Sequence, residues 1–403
     1  MPDSRRLPLW HGRTLALLGI LLVAANLRTA VAALSPIYTE IGGDFALSSV
    51  AVGALGMLPP VCFAVFGIIA PFFTRRVSLE RVMVVALAAI LAGHLIRSSS
   101  GSFVVLAAGS ALTFAGMGVG NVLLPPLVKR YFPDRIGFVT SFYVTVMSFS
   151  TLLPPLIAVP VADSLGWRIS VGMWAAVSLF AILPWLTIVI RRKPAHPDHD
   201  VELEEADPQI LRRVWRAPIA WALAGIFSVS AVNAYAMFAW LPQILHDTAG
   251  VDAVQAGVLL SLYSGMGIPA GLLIPVLTAR MKNVGLLIHV GVACFVIGYL
   301  GLIVLPAAGT WVWVALIGLG PLIFPLSLVL INLRTRTHEG AVALSGFVQG
   351  LGYSLGALGP LAVGLLHQLT GEWTIAMVCL VGTAIAASLA GTVVSRPRLL
   401  EDH

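Results

Sequence analysis

Stretches of apolar residues long enough to cross a hydrocarbon layer of ~30 Å recur twelve times along this 403-residue chain. They fall at roughly 14–38, 47–71, 79–97, 102–128, 136–162, 168–190, 218–246, 253–278, 284–306, 310–333, 340–367 and 373–395. Their apolarity is unbroken and lacks the period-2 alternation of a barrel strand, so each reads as a helix. Charged residues make up 10% of the chain, whereas a soluble domain carries about 25% to cover its wet surface. Most of the surface must therefore face lipid, and the fold class is an all-α membrane protein of twelve transmembrane helices.

The net charge of +6 points to membrane orientation rather than to nucleic acid. With the N-terminus inside, 21 of the 24 Lys and Arg residues fall in inside segments, the asymmetry of cytoplasmic loops. This predicts a multi-pass inner-membrane protein with both termini in the cytoplasm. Arg97 and Arg168 lie at outer helix ends, and Arg28 lies within a span. Arg5, Arg6 and Arg13 precede an apolar run, and Ala30 to Ala32 mimics a signal-peptidase site. Cleavage is rejected because that run has a counterpart in the second half. Cys62, Cys294 and Cys379 sit singly in apolar stretches, as small buried hydrophobes do.

Residues 191–217 run basic, acidic, then basic, and divide the spans six and six. This predicts an N-terminal bundle over 1–190, a solvated cytoplasmic linker over 191–217 and a C-terminal bundle over 218–403. The halves echo one another at an offset near 205. Asn26 with Pro36 matches Asn233 with Pro242, and Gly67 to Arg76 matches Gly271 to Arg280. Gly118, Gly120 and Pro125 match Gly318, Gly320 and Pro325. Pro155 matches Pro360, and Trp167 matches Trp373. Repeated six-helix halves are the architecture of alternating access, in which two bundles rock about a site near the bilayer midplane. The loops are too short for a nucleotide-binding domain, and no GxxxxGK[ST] motif occurs.

The segment from Gly67 to Arg76 resembles the loop after helix 2 in the major facilitator superfamily, with Pro71 and Pro275 where that family usually has Asp. Asn26 to Ala30, Asn121 to Arg135, Ala239 to Pro242 and Ser345 to Tyr353 resemble more narrowly the cyanate-permease and 2-nitroimidazole-exporter branch. The resemblance covers nearly the whole chain. It implies the two-bundle fold, a small anionic or polar substrate, and a latch at Arg75, Arg76 and Arg280 that shuts the inner face. Topology charge alone is the other account of those three arginines.

Arg28 is the residue most in need of explanation. About 14 residues into the first span it sits near mid-membrane, roughly 21 Å along a straight helix, where arginine costs at least ~2.5–3.5 kcal/mol. No Asp or Glu falls in the middle third of any span. A structural arginine bonded to carbonyls of a broken helix is one account, and a substrate contact is the favoured one, because intramembrane charge marks pathways. A forked, planar guanidinium suits carboxylate, cyanate or nitro groups. The repeat sets Tyr235 opposite Arg28. Residues two apart on a helix face about 200° apart, so Asn26 and Asn233 are given interhelical bonding instead.

Gln349 and Tyr353 share a helix face, either lining the cavity or bonding a neighbouring helix. Asn121, Tyr143 and Tyr263 are weaker candidates of that kind. Trp240 is counted with the substrate contacts, as either an outer-closure residue or an interfacial aromatic. His94, His289 and His367 are assigned to helix packing ahead of proton relay. GxSxG, HExxH and clustered Cys/His are absent, so no enzyme, cofactor or metal is expected.

The expected activity is movement of a small anion, cyanate-like or a short carboxylate, by a secondary or facilitative transporter. Its expected partners are the lipid bilayer and the substrate, with a proton or counter-anion left open, no nucleic acid, and a monomeric state. Export of a nitroimidazole-like drug and a non-transporting membrane sensor are the alternatives.

Overall fold

A computed structural model of the chain describes residues 13–74, 76–191, 208–281, 283–395 and 399–402. Among them, eleven helices are long and apolar enough to cross a membrane. In chain order they are Ser49–Thr74, Leu79–Ser98, Phe103–Tyr131, Ile136–Leu165, Trp167–Arg191, Pro218–Ala249, Ala253–Thr278, Gly285–Val304, Thr310–Leu333, Glu339–Thr370 and Thr374–Val394. They are numbered here spans 2 to 12.

Span 1 departs from the expected single helix. Its helix, Thr14–Asn26, has 13 residues. The chain then turns through Leu34, makes a 3-10 turn at Ser35–Ile37 and a short helix at Tyr38–Gly42. Local hydrogen bonds explain the break. The Leu27 N–H bonds to the Ala24 carbonyl at 3.3 Å, three residues back rather than four. The Thr29 hydroxyl donates to the Asn26 carbonyl at 3.1 Å, and Pro36 has no N–H to continue the ladder. The loose end is pinned by Asn26. Its Nδ2 donates to Leu22 O at 2.7 Å and to Val177 O at 3.2 Å, and its Oδ1 accepts from the Ser178 hydroxyl at 2.6 Å.

The second half repeats this clasp without the break. In span 7, Nδ2 of Asn233 donates to Val229 O at 2.8 Å and lies 3.1 Å from the Thr383 hydroxyl oxygen, while its Oδ1 accepts from the Tyr299 hydroxyl at 2.9 Å. The Asn26–Ser178 and Asn233–Thr383 pairs thus join spans 1 and 6 and spans 7 and 12 in the same way. A second pair of matching bonds lies at the rim. Trp167 Nε1 donates to Asp44 and Trp373 Nε1 donates to Asp247, each at 2.9 Å. The Trp167 indole and the Arg168 guanidinium hold the Asp44 carboxyl below the usual carboxylate range. That contribution is present above the ordinary range and is lost as pH falls through the lowered value.

On the opposite side, which carries the chain termini, Arg13 pairs with Asp134 at 2.6 Å and Arg336 with Asp402 at 3.0 Å. The interbundle linker is not wholly a tether: its last part folds as the helix Pro208–Arg216. Val214 of that helix is fully buried, and Trp215 packs with Trp221 and Phe347 at ring distances of 5.2–5.5 Å. The acidic stretch from Asp198 to Asp207 lies outside the described residues. Of the cysteines, Cys62 is buried, but Cys379 is exposed on the outer face of its helix.

Among the described residues the two halves pack most closely on the side away from the termini. A Cβ on Gly56 would come within 2.7 Å of Ala239 Cβ and 2.8 Å of Pro360 Cβ. One on Gly257 would lie 2.5 Å from the Pro155 carbonyl oxygen, and one on Gly364 would lie 2.6 Å from that of Ser49. Small residues let backbones approach this closely where no hydrophobic force drives helices together. Ser261 of span 8 also donates across the seam to Leu152 O at 2.9 Å. Toward the termini the halves part. Span 5 packs along Ala253–Gly265 and hardly touches its continuation Gly267–Arg280. Gly346 and Gly350 have nothing within 4 Å of where a Cβ would stand.

Two outcomes follow. Asn26→Ala and Asn233→Ala should each lower the melting midpoint in detergent, by about 1–3 kcal/mol of lost satisfied polar contact; an unchanged midpoint in both would show the clasps to be idle. Gly56→Val should hold the far-side seam apart, which thiol labelling of a cysteine at Ser49 reads as increased reactivity over the Gly56 parent.

Candidate functional site

Arg28 stands inside the break of span 1, two residues past the Asn26 clasp. While Asn26 turns back into its own half, Arg28 turns toward the other one. Its guanidinium carbon lies 5.2 Å from the ring centroid of Phe63 on span 2, and the group reaches the hydroxyls of Tyr235 on span 7 and Tyr353 on span 11. Arg28 forms no ion pair with a described residue. It is part-buried, as is Tyr353, whereas Tyr235 is buried.

The Tyr353 ring is the hub of an aromatic wall. It meets Phe63 at 6.1 Å, Phe227 at 5.1 Å and Tyr235 at 6.4 Å, each edge to face. Rings so arranged hold one another rigidly and offer π faces to a flat group. A tyrosine oxygen that accepts from Arg28 still has its own proton to donate to an anion. The constellation takes one residue from the break and the rest from spans of both halves, at the level where the halves begin to part. A group bound there touches both moving bodies.

The other sequence candidates are scattered. Gln349, one turn toward the termini from Tyr353, donates to Ser345 on its own helix at 2.7 Å. Asn121 is part-buried, next to Gly120, whose Cβ would lie 2.7 Å from Leu27. Tyr143 is buried. Tyr263 is buried, set edge-on to Phe238 at 5.5 Å, and its hydroxyl has no partner. Trp240 is placed away from Arg28: it is fully buried, donates to the Pro360 carbonyl at 2.8 Å and packs on Trp373 at 5.3 Å. Its position is in the support of the far-side seam. Arg75 lies outside the described residues. Arg76 is exposed over the Phe72 ring at 4.8 Å, and Arg280 is exposed. Neither forms an ion pair with a described residue on the parted side.

Two features escaped the sequence. Phe63 and Phe227 are indistinguishable from core residues until a guanidinium and a tyrosine are placed against them. Arg97, which reads as a helix-end charge, is fully buried.

Residues 17–360 match the Major Facilitator Superfamily. The chain is 33% identical to the 2-nitroimidazole transporter of Escherichia coli (strain K12), over 94% of this chain and 93% of that protein. It is 25% identical to the cyanate transport protein CynX of the same organism, over 92% of this chain and 95% of that one. Its fold is similar to that of a bacterial homologue of the human lysosomal transporter Spinster in an inward-facing, unoccupied conformation. The TM-score is 0.78 at 16% identity, covering 98% of this chain and 99% of that one.

Proposed function

Since the chain belongs to the Major Facilitator Superfamily, and is therefore a membrane-embedded transporter of a small molecule and not an enzyme, we propose that its cargo is a small planar anion such as cyanate or a short carboxylate. One observation carries this reading: the Arg28 guanidinium stands between the two halves with tyrosine hydroxyls and a ring face around it and no carboxylate among the described residues to neutralise it. A fixed cation so placed has its charge completed by the cargo. The excess of Lys and Arg on the terminal side supports a cytoplasmic location for both termini. On that orientation the parted side faces the cytoplasm and the glycine seam closes the outside, so the chain rests inward-open.

Transport then proceeds by alternating access. The anion draws Arg28 of one half and Tyr235 and Tyr353 of the other together, the terminal side closes, and the far-side seam opens. Arg76 and Arg280 join that inner closure as the latch. The protein works as a monomer in a bacterial inner membrane, by anion exchange, facilitated diffusion or histidine-linked proton symport. A second reading has its own support. The aromatic wall beside Arg28 suits a nitro-aromatic ring, and the 33% identical relative is named for 2-nitroimidazole; the cargo would then be exported and uncharged.

Proteoliposomes separate the readings. Labelled cyanate and formate flux should fall about tenfold to a hundredfold in both Arg28→Ala and Arg28→Lys, the loss of ~1.5–3 kcal/mol of charge-assisted bonding. Tyr353→Phe should raise the half-saturating concentration about twofold to tenfold. Wild-type anion flux in Arg28→Ala would end the anion assignment, and nitroimidazole flux indifferent to anions would move the conclusion to the exporter.

A further inference from the structure

A second arginine in the same half is stranded more completely than Arg28. Arg97 occupies the last turn of span 3 and is 0% exposed. Its Nε, Nη1 and Nη2 are all buried without a hydrogen-bond partner, and it forms no ion pair with a described residue. A helix C-terminus favours nearby positive charge, yet that leaves three donor nitrogens with no acceptor. Burying such a group without one is among the costliest arrangements a protein can hold.

What surrounds Arg97 is selective. Its aliphatic stem lies on Gly109 of span 4, whose Cβ would stand 3.0 Å from Arg97 Cγ. The guanidinium carbon is 6.0 Å from the centroid of Phe114, and the Tyr38 hydroxyl and the His94 ring are near enough to interact with its charge. Ser110, one turn before Phe114 on span 4, is also fully buried with its hydroxyl unpartnered. So is His94, one turn before Arg97 and under its influence.

A small cavity lies against this cluster. Tyr38 and Phe114, the two groups the guanidinium faces, form part of its wall. Gly56 and Ala239, which make the far-side seam, form another part, and Tyr235, a neighbour of Arg28, closes its inner end. The cavity, of about 10 Å³, thus runs from the seam to Tyr235, and Arg97 adjoins it only by way of Phe114 and Tyr38.

We propose that Arg97, with Tyr38 and Ser110, forms a second binding station for a small monovalent anion within the N-terminal half. It is loaded through the far-side seam, and Tyr235 separates it from Arg28. An anion entering from the far side meets Arg97 first and is handed inward as the seam shuts. This rests on the anion reading of Arg28 and adds a site to it.

Thiocyanate, a linear cyanate-like anion with an isolated infrared C–N stretch, is the probe, and the purified full chain in detergent is the sample. Wild type should bind two equivalents and show two bound bands. Arg97→Met and Arg28→Met should each keep one equivalent and lose a different band, and the double variant should bind none. Tyr38→Phe and Ser110→Ala retain the arginine; each should weaken the Arg97 band's affinity by about twofold to tenfold, the size of one hydrogen bond, and leave the other unchanged. If Arg97→Met does not fold, these two variants decide, and unchanged affinity in both overturns the station. A single wild-type equivalent lost in Arg28→Met also overturns it while sparing the anion reading. No thiocyanate binding by wild type, with flux indifferent to Arg28, brings down the parent reading instead.

Discussion

Arg28 faces the space between the halves from the irregular segment that begins where its helix stops at Asn26. On a continuous helix, residues 26 and 28 would point to nearly opposite sides. That spacing already lets one side chain clasp span 6 while the other faces spans 7 and 11. The break is tolerable at membrane depth because it is buried in protein and its polar groups are met locally, by Thr29 on the Asn26 carbonyl and by Asn26 on Leu22, Val177 and Ser178. It is from this segment that the guanidinium meets the ring of Phe63 and the hydroxyls of Tyr235 and Tyr353.

The halves are alike in their joints and unlike in their centres. Asn26 and Asn233 clasp the last helix of their respective halves, and Asp44 and Asp247 take the same indole bond from Trp167 and Trp373. Span 7, however, runs unbroken from Pro218 to Ala249. The second half thus presents a rigid aromatic face, Tyr235 with Phe227 and Tyr353, to a first half that supplies charge from an irregular segment. The repeat holds where it fixes each bundle and lapses around Arg28 and Tyr235.

Much of this was legible in the residues. Twelve apolar runs, their charge asymmetry and the repeated Gly and Pro positions were enough for the helical membrane fold, and the 200° argument separated Asn26 from Arg28 correctly. The break was not legible, because Leu27 to Leu34 is as apolar as a helix would be and its turns are set by hydrogen bonds between neighbours. Arg97 was misread for a related reason: sequence places it at a helix end, where arginines reach water, and only the packing of Gly109 and Phe114 shows that water is shut out. The folded end of the linker escaped too, since Trp215 gains its partner from Phe347, more than a hundred residues away.

The rim bonds carry a consequence for the membrane itself. By engaging Asp44 and Asp247 with indoles at the wet edge, the fold spends its acidic groups where they are far from the permeation route. The described residues along that route are arginine, hydroxyl and aromatic ring. On the proposed anion reading each unaccompanied passage would carry charge, so the voltage across the bilayer would weigh on the cycle unless a second ion moved with the cargo.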